Sequence, residues 1–125
     1  SFNTPPVFPI YCILLNLRLI KQEGIDSISK KNKIKSELIY SEIDRNKCFS
    51  GFSEVSDRSQ MNATFNMKEG FDSELFNKIC SKNNISGING HRSVGGYRAS
   101  IYNALSLDSL NVLVDSMKEF ELSQE

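Results

Sequence analysis

Arg-Ser-Gln-Met-Asn-Ala-Thr-Phe-Asn-Met, residues 58–67, alternates polar and apolar side chains over most of its length. Alternation with a period of two places the two sets of side chains on opposite faces of a β-strand. The apolar face is expected to hold Met61, Ala63, Phe65 and Met67, and the polar face Gln60, Asn62, Thr64 and Asn66. We therefore predict a strand with one buried side and one solvent-facing side, and we place the other elements around it.

The first of two helices expected before this strand is apolar on nearly all sides. Thr4 followed by Pro5 is typical of a helix N-cap and first turn. The helix is predicted to run to about Gln22 and to end at Gly24. Because its apolar residues do not form a single stripe, we expect protein to cover both flanks, in a core or in a subunit interface.

The second helix is predicted to start after Asp26 or Ser27 and to reach about Arg45. Its expected apolar stripe consists of Ile34, Leu38, Ile39 and Ile43. A run of lysines, Lys30, Lys31, Lys33 and Lys35, is interpreted as a solvated face, since no aromatic residues interleave with the charges. Residues 47–57 are rich in Ser and Gly and are predicted to form a loop or an irregular edge.

Elements of both kinds are predicted after the strand. A helix is expected to follow a cap at Asp72 or Ser73 and to end at Asn83-Asn84, with Leu75, Phe76, Ile79 and Cys80 on its buried face. Residues 85–88 and 97–102 are short strand candidates. Ser106 is expected to cap a last helix with Asp108 in its first turn, which buries Leu110, Leu113, Val114, Met117 and Phe120. The predicted fold class is α+β, with helices covering one face of a small, mostly antiparallel sheet.

Composition limits the classes of function. The chain has 125 residues, enough for one domain, and 15 basic residues balance 15 acidic ones. No overall field therefore favours nucleic acid or an anionic membrane. The apolar run 7–20 is too short and too interrupted to span a bilayer. The three cysteines are scattered and typical of reduced cytoplasmic thiols, and the absence of an initial Met suggests a piece of a longer protein.

The clearest chemical signal is Gly-His-Arg-Ser-Val-Gly-Gly-Tyr-Arg, residues 90–98. The double glycine allows a sharp turn that could bring His91 and Arg92 near Arg98. A guanidinium binds a carboxylate or phosphate through two parallel hydrogen bonds, so such a site would hold a ligand with two separated negative groups. The alternative is a glycine-rich hairpin with surface arginines and an incidental histidine.

Asn3 and Thr4 carry a second, more ambiguous signal. They precede a predicted helix, where side-chain donors could bind a phosphate, and a plain structural N-cap is the alternative. The sequence contains no P-loop, no dinucleotide-binding fingerprint, no two-histidine metal motif and no hydrolytic triad. Residue patterns alone thus lead to an anion-binding α+β domain, with no metal site and no catalytic residue of its own.

Four segments resemble the phosphoserine aminotransferase family. They are Gly-His-Arg-Ser-Val-Gly-Gly-Tyr-Arg-Ala-Ser-Ile-Tyr-Asn-Ala at 90–104, Phe-Asn-Thr-Pro-Pro at 2–6, Arg-Ser-x-Met-Asn at 58–62 and Val-Asp-Ser-Met-Lys-Glu-Phe-Glu at 114–121. They follow the family's order and span nearly the whole chain. The resemblance implies the small C-terminal domain of a fold-type I aminotransferase that depends on pyridoxal 5'-phosphate and works as a homodimer.

The resemblance also implies roles for individual residues. Arg98 would bind the α-carboxylate of glutamate or phosphoserine, and His91 and Arg92 would hold the distal phosphate or carboxylate, across the dimer interface. Asn3 and Thr4 would bind the cofactor phosphate in the partner subunit's site. The family exchanges an amino group between glutamate and 3-phosphohydroxypyruvate in cytoplasmic serine synthesis, and many bacterial members also serve vitamin B6 synthesis.

The lysine that forms the Schiff base lies upstream of the Phe-Asn-Thr-Pro-Pro segment in this family. Residues 1–22 would then lead from a large domain, 23–125 would form the small domain, and this chain by itself would be inactive. Two alternatives remain: a stand-alone, non-catalytic module that binds a small dianion or a protein partner, and a related aminotransferase with another substrate. A large domain encoded ahead of Ser1 would distinguish the leading hypothesis from the module.

Overall fold

The computed structural model describes residues 3–90 and 95–124. Two compact units, residues 1–31 and 32–125, are described separately below. Within the described residues, the elements in chain order are α1 (Val7–Glu23), α2 (Ile25–Arg45), β1 (Phe49–Gly51), a 3-10 turn (Val55–Asp57), β2 (Asn62–Met67), α3 (Ser73–Lys82), β3 (Tyr97–Ser100) and α4 (Leu107–Leu122). The predicted α+β class is confirmed.

The sheet is antiparallel, with β2 between β1 and β3. As predicted, β2 buries Ala63 and Phe65 on one face. On β3 the same alternation buries Tyr97 and Ala99, and it leaves Arg98 exposed on the opposite face. The core therefore lies on one side of the sheet. The alternate side chains of β2 and β3, including Arg98, form a polar face on the other side.

Five aromatic rings hold the helices against the buried face of the sheet. The Phe49 ring contacts those of Phe65, Phe76, Tyr97 and Phe120, with centroids 4.9 to 6.4 Å apart. Phe76 belongs to α3 and Phe120 to α4, so the cluster joins both helices to all three strands. Tilted and edge-on rings of this kind contribute about 0.5–1.5 kcal/mol per pair beyond the area they bury.

Helix α1 begins later than the sequence predicted. Its N-cap position is occupied by Pro6, which offers no side-chain cap, and the interpretation of Thr4 as the N-cap is wrong. A residue that precedes proline is disfavoured in the helical region, so Pro6 keeps Pro5 out of the helix and moves the start to Val7. Pro9 lies within the first turn, where its missing N–H would have had no partner.

Within its own unit, α1 buries no residue. Nine of its large apolar side chains are 40% to 75% exposed: Val7, Phe8, Ile10, Tyr11, Ile13, Leu14, Leu15, Leu17 and Leu19. Patches of this extent mark surfaces that are covered by other protein. The predicted cover by a further domain or subunit remains a prediction. No helix in residues 3–90 and 95–124 has the length and apolar character needed to cross a membrane.

The buried face of α2 is broader and more polar than the predicted stripe, because it also includes Asn32, Lys35, Ser36, Tyr40 and Glu42. Ile39 and Ile43 are fully buried as expected, but Ile34 is exposed and Lys35 is buried. The Nζ group of Lys35 donates hydrogen bonds to the carbonyl oxygens of Tyr102, Ile101 and Leu105, at 2.7, 3.1 and 3.3 Å. Three acceptors satisfy the ammonium, which makes its burial tolerable although burial lowers its pKa. Lys35 therefore does not belong to a solvated face.

One strand prediction is wrong. Residues 85–88 do not form a strand, because Gly87 has φ +68° and interrupts the extended backbone. Residues 49–51, by contrast, form the edge strand β1, although the sequence suggested a loop or irregular edge. Phe49 supplies the central ring of the aromatic cluster, so tertiary packing stabilises a strand in a segment whose local composition favours a turn.

The last two helices begin where the sequence predicts. The Asp72 carboxylate accepts hydrogen bonds from two backbone N–H groups of α3, and the Ser106 hydroxyl accepts one from the Ser109 N–H. Three free thiols are present, those of Cys12, Cys48 and Cys80. Cys80 is 1% exposed, and burial raises its pKa to about 11. The predicted reduced state agrees with these unpaired thiols.

Replacing Lys35 by Met should lower the free energy of unfolding by about 2–4 kcal/mol, since three carbonyl oxygens lose a charged donor. Lys33, on the exposed side of the same helix, offers a matched control. Lys33→Met should change stability by no more than about 0.5 kcal/mol. Urea unfolding followed by circular dichroism measures both variants, and equal losses would contradict the assigned role of Lys35.

Candidate functional site

The sequence-predicted site residues fall into three groups. Arg98 is described and lies on β3. His91 and Arg92 lie outside the described residues. Asn3 and Thr4 are described as exposed residues of the other compact unit, just before α1. Arg98 and the Asn3-Thr4 pair thus belong to different compact units, and each has its own surroundings.

The two ends of the glycine-rich segment are held together by backbone hydrogen bonds. The N–H of Gly90 donates to the carbonyl of Gly96 at 2.8 Å, and the N–H of Arg98 donates to that of Ile88 at 2.7 Å. Gly95 and Gly96 have φ values of +73° and +67°, which side chains disfavour. The double glycine thus makes the sharp turn that the sequence predicts, immediately before Arg98.

Close backbone contacts also leave no room for a side chain at Gly90 or Gly96. A Cβ at Gly90 would meet the carbonyl oxygen of Gly95, and a Cβ at Gly96 would meet Oδ1 of Asn66 and the carbonyl oxygen of Phe65. The segment therefore packs backbone against backbone at its base. This close approach brings Gly90 and Gly95 together and places Gly96 against the end of β2.

Arg98 borders a cavity of about 190 Å³ on the polar face of the sheet. The lining residues whose side chains belong to this face are Phe52, Thr64, Asn66 and Arg98, and Gly90 and Gly95 add bare backbone. Thr64 lies directly opposite Arg98 in the register, and its hydroxyl is 3.4 Å from that of Ser53. The cavity thus combines a cation, polar groups, an aromatic ring and room for a ligand to reach the backbone.

The guanidinium of Arg98 has no hydrogen-bond or ion-pair partner among the described residues. The other two described arginines of this unit, Arg45 and Arg58, are engaged in pairs. Arg45 contacts Glu42 at 2.7 Å and Glu121 at 2.8 Å, and Arg58 binds both carboxylate oxygens of Asp44 at 2.7 Å. The hydrogen bonds from Arg58 lower the pKa of Asp44. Only Arg98 of these three thus offers its planar fork of donors to a ligand.

The segment ahead of α1 has the donors that a phosphate requires. Asn3 and Thr4 are exposed, and the Thr4 hydroxyl has no partner within residues 3–90 and 95–124. Pro5 and Pro6 lack N–H groups, so side chains must supply much of the donation at this helix start. In the same described ranges, no group of three or more His, Cys, Asp or Glu residues could hold a metal ion.

Comparison with known proteins identifies the family. The family model described as Aminotransferase class-V matches residues 1–113. The chain belongs to the class-V aminotransferase family. Within this family, its curated relatives include the phosphoserine aminotransferases of Flavobacterium psychrophilum, 56% identical over 121 residues, and Bacteroides thetaiotaomicron, 50% identical over 123 residues. The resemblance inferred from the sequence motifs is confirmed.

Solved structures that resemble this chain are also phosphoserine aminotransferases. Phosphoserine aminotransferase from Bacillus circulans subsp. alkalophilus superposes with a TM-score of 0.91 at 38% identity, over 99% of this chain and 35% of that one. A pyridoxal-phosphate-bound phosphoserine aminotransferase from Trichomonas vaginalis gives 0.85 at 34% identity, over 94% of this chain and 34% of that one. The two curated relatives are covered over 34% and 35% of their length and 96% of this chain. This chain therefore spans about a third of the length of the proteins that it matches.

Sequence reasoning did not include Phe52, Thr64 and Asn66 in the site. Thr64 and Asn66 were correctly placed on the polar face of β2, but a polar face is ordinarily just solvated. Phe52 follows the edge strand that was not predicted. The pairing of β2 with β3 is the feature that could have identified these polar residues, because it brings them beside Arg98.

Gly95→Ala and Gly96→Ala form a matched pair that tests the turn. A Cβ at Gly95 would have no other atom within 4 Å, so this variant should cost only the strain of a positive φ, about 1 kcal/mol. Gly96→Ala should cost about 3 kcal/mol, because the Asn66 side chain and the Phe65 carbonyl must also shift. Thermal or urea unfolding compares them, and a Gly96→Ala loss no larger than that of Gly95→Ala would contradict the described packing.

Proposed function

We propose that this chain is part of a phosphoserine transaminase. The reaction interconverts 3-phosphohydroxypyruvate plus glutamate and O-phosphoserine plus 2-oxoglutarate, in serine biosynthesis. The observation that carries the proposal is the unpaired Arg98 guanidinium beside a glycine turn, on the polar face of the sheet. Both amino-acid substrates present an α-carboxylate, and a bidentate pair with arginine is the strongest contact available to it.

The second negative group of each substrate explains the composition of the turn. We assign His91 and Arg92 to the distal phosphate or carboxylate. In the sequence they follow Gly90, whose N–H is bonded to the Gly96 carbonyl, on the segment that leads to Arg98. A ligand that lacks either anion would leave a charged group of the site without a partner. The site thus selects dianionic substrates, such as phosphoserine and glutamate, over simple amino acids.

Pyridoxal 5'-phosphate fits the segment ahead of α1. Thr4 offers a hydroxyl that has no partner within the described ranges, Asn3 offers a carboxamide, and both residues are exposed. These residues would hold the cofactor phosphate in the site of the partner subunit. When bound, the cofactor supplies an electron sink for the bonds at the α-carbon of the substrate. Residues of this chain would bind and orient, while the lysine that carries the cofactor would lie upstream.

The exposed apolar surface of α1 supports an arrangement in a larger protein. Residues 1–22 would lead from a large domain, and residues 23–125 would form the small domain. The large domain or the partner subunit of a homodimer would cover the apolar side chains of α1. By itself the chain would be inactive as a transaminase. Its free thiols are consistent with a place in the cytoplasm.

Arg98→Ala in the complete transaminase should lower kcat/KM for glutamate at least about a hundredfold, because the α-carboxylate loses its bidentate partner. Arg98→Lys should recover part of the activity through charge alone. Arg45→Lys is the matched control: Arg45 is paired with carboxylates away from the cavity, so kcat/KM should stay within about twofold. Steady-state kinetics gives these values, and wild-type turnover by Arg98→Ala would refute the assigned role.

His91→Ala and Arg92→Ala should weaken phosphorylated substrates more than simple amino acids. The reason is that these side chains are assigned to the distal anion, which alanine lacks. Ratios of kcat/KM for phosphoserine and alanine, measured for each variant of the complete enzyme, report the difference. Equal losses for the two substrates would show that the distal-anion role is wrong.

A further inference from the structure

The polar face of the sheet holds a second unused donor beside Arg98. The side-chain carboxamide of Asn66 has no hydrogen-bond partner among the described residues, and it lines the same 190 Å³ cavity as Arg98. Two other half-buried asparagines of this unit are engaged: Asn83 donates to the Ser116 hydroxyl at 2.8 Å, and Asn62 Oδ1 accepts from the Ser100 hydroxyl at 3.4 Å. An unpaired amide at the edge of a cavity leaves hydrogen-bonding capacity for a ligand.

The register places Asn66 within reach of whatever Arg98 binds. Thr64 pairs with Arg98, so Asn66, two residues further along β2, is a diagonal neighbour of Arg98 on the same face. Diagonal neighbours lie roughly 7 to 8 Å apart, a gap that an anion between two long polar side chains can bridge. Gly96 is opposite Asn66 and has no side chain, so nothing on β3 at this position fills the gap.

The orientation of the amide follows from the same contact. Oδ1 of Asn66 lies against the backbone of Gly96, in the space that a Cβ would occupy. This leaves the Nδ2 group as the donor that is available to an anion. Phe52 also lines this cavity and adds an apolar wall beside the two donors.

We propose that Asn66 is a further substrate-binding residue, which donates through Nδ2 to the carboxylate held by Arg98. Two donors from the guanidinium and one from the amide would then fix the plane of the carboxylate as well as its position. This inference rests on the proposed anion-binding role of Arg98. It adds a neutral donor that charge patterns in the sequence do not identify.

The test is a titration of the full 125-residue chain with sodium acetate, followed by nitrogen-15 NMR. Acetate presents a carboxylate alone, so binding does not depend on cofactor or on turnover. The side-chain signals of Arg98 Nε–H and Asn66 Nδ2–H should shift together with one dissociation constant. Asn66→Ala should weaken binding roughly ten- to a hundredfold, as expected for one lost hydrogen bond to a charged group. Asn66→Asp, which has the same shape, should weaken it further through repulsion between like charges.

Asn62→Ala is the matched control, because Asn62 lies on the same strand and face but does not line the cavity. It should bind acetate as the wild type does. Unchanged affinity in both Asn66 variants, with Arg98→Ala still abolishing binding, would overturn the role of Asn66 and leave that of Arg98 intact. Failure of the wild type to bind acetate would overturn both roles. Asn66-dependent acetate binding by this chain, together with no transaminase activity in the complete protein, would uphold this inference and refute the proposed function.

Discussion

The contact of Phe65 with Tyr97 is the constraint on which the site depends. The two residues are register partners on β2 and β3, and their rings stack at 5.3 Å with an interplanar angle of 19°. A slip of one residue would turn Arg98 into the core and Tyr97 out to solvent, a change that no partner in the core could offset. Burial of two aromatic rings on one face thus determines which polar groups meet on the other.

The glycines extend this constraint beyond the end of the sheet. Gly96 lies opposite Asn66, one position beyond the last strand pair of β2 and β3. Its positive φ turns the chain away from the sheet. Lys35 acts at the other end of β3, where it holds the three carbonyl oxygens of the segment that follows the strand. The strand that carries Arg98 is therefore fixed on both sides by contacts that involve no substrate. Such support is what a binding group requires if it is to stay in place without a ligand.

Sequence reasoning was most successful where local signals and packing agree. The alternation in 58–67, the cap at Ser106, the cap of α3 at one of two candidates (Asp72 or Ser73) and the buried face of α4 were all predicted, because each follows from residue types within one element. The edge strand at Phe49 and the burial of Lys35 depend on partners distant in the sequence, and no local pattern encodes them. Arg98 could be named as a candidate binding residue because its motif is unusual. Asn66 could not, since its significance arises only from the register with β3.

The two buried thiols have a practical consequence. Only the thiolate of a cysteine reacts readily, and Cys80 is both enclosed and protonated at neutral pH. A thiol reagent therefore reaches Cys80 only when the packing between α3 and the aromatic cluster opens. The rate of labelling at this position would then report the free energy of local opening in the unit that carries Arg98. The native Cys80 thiol can therefore report the local stability of the core without an engineered label.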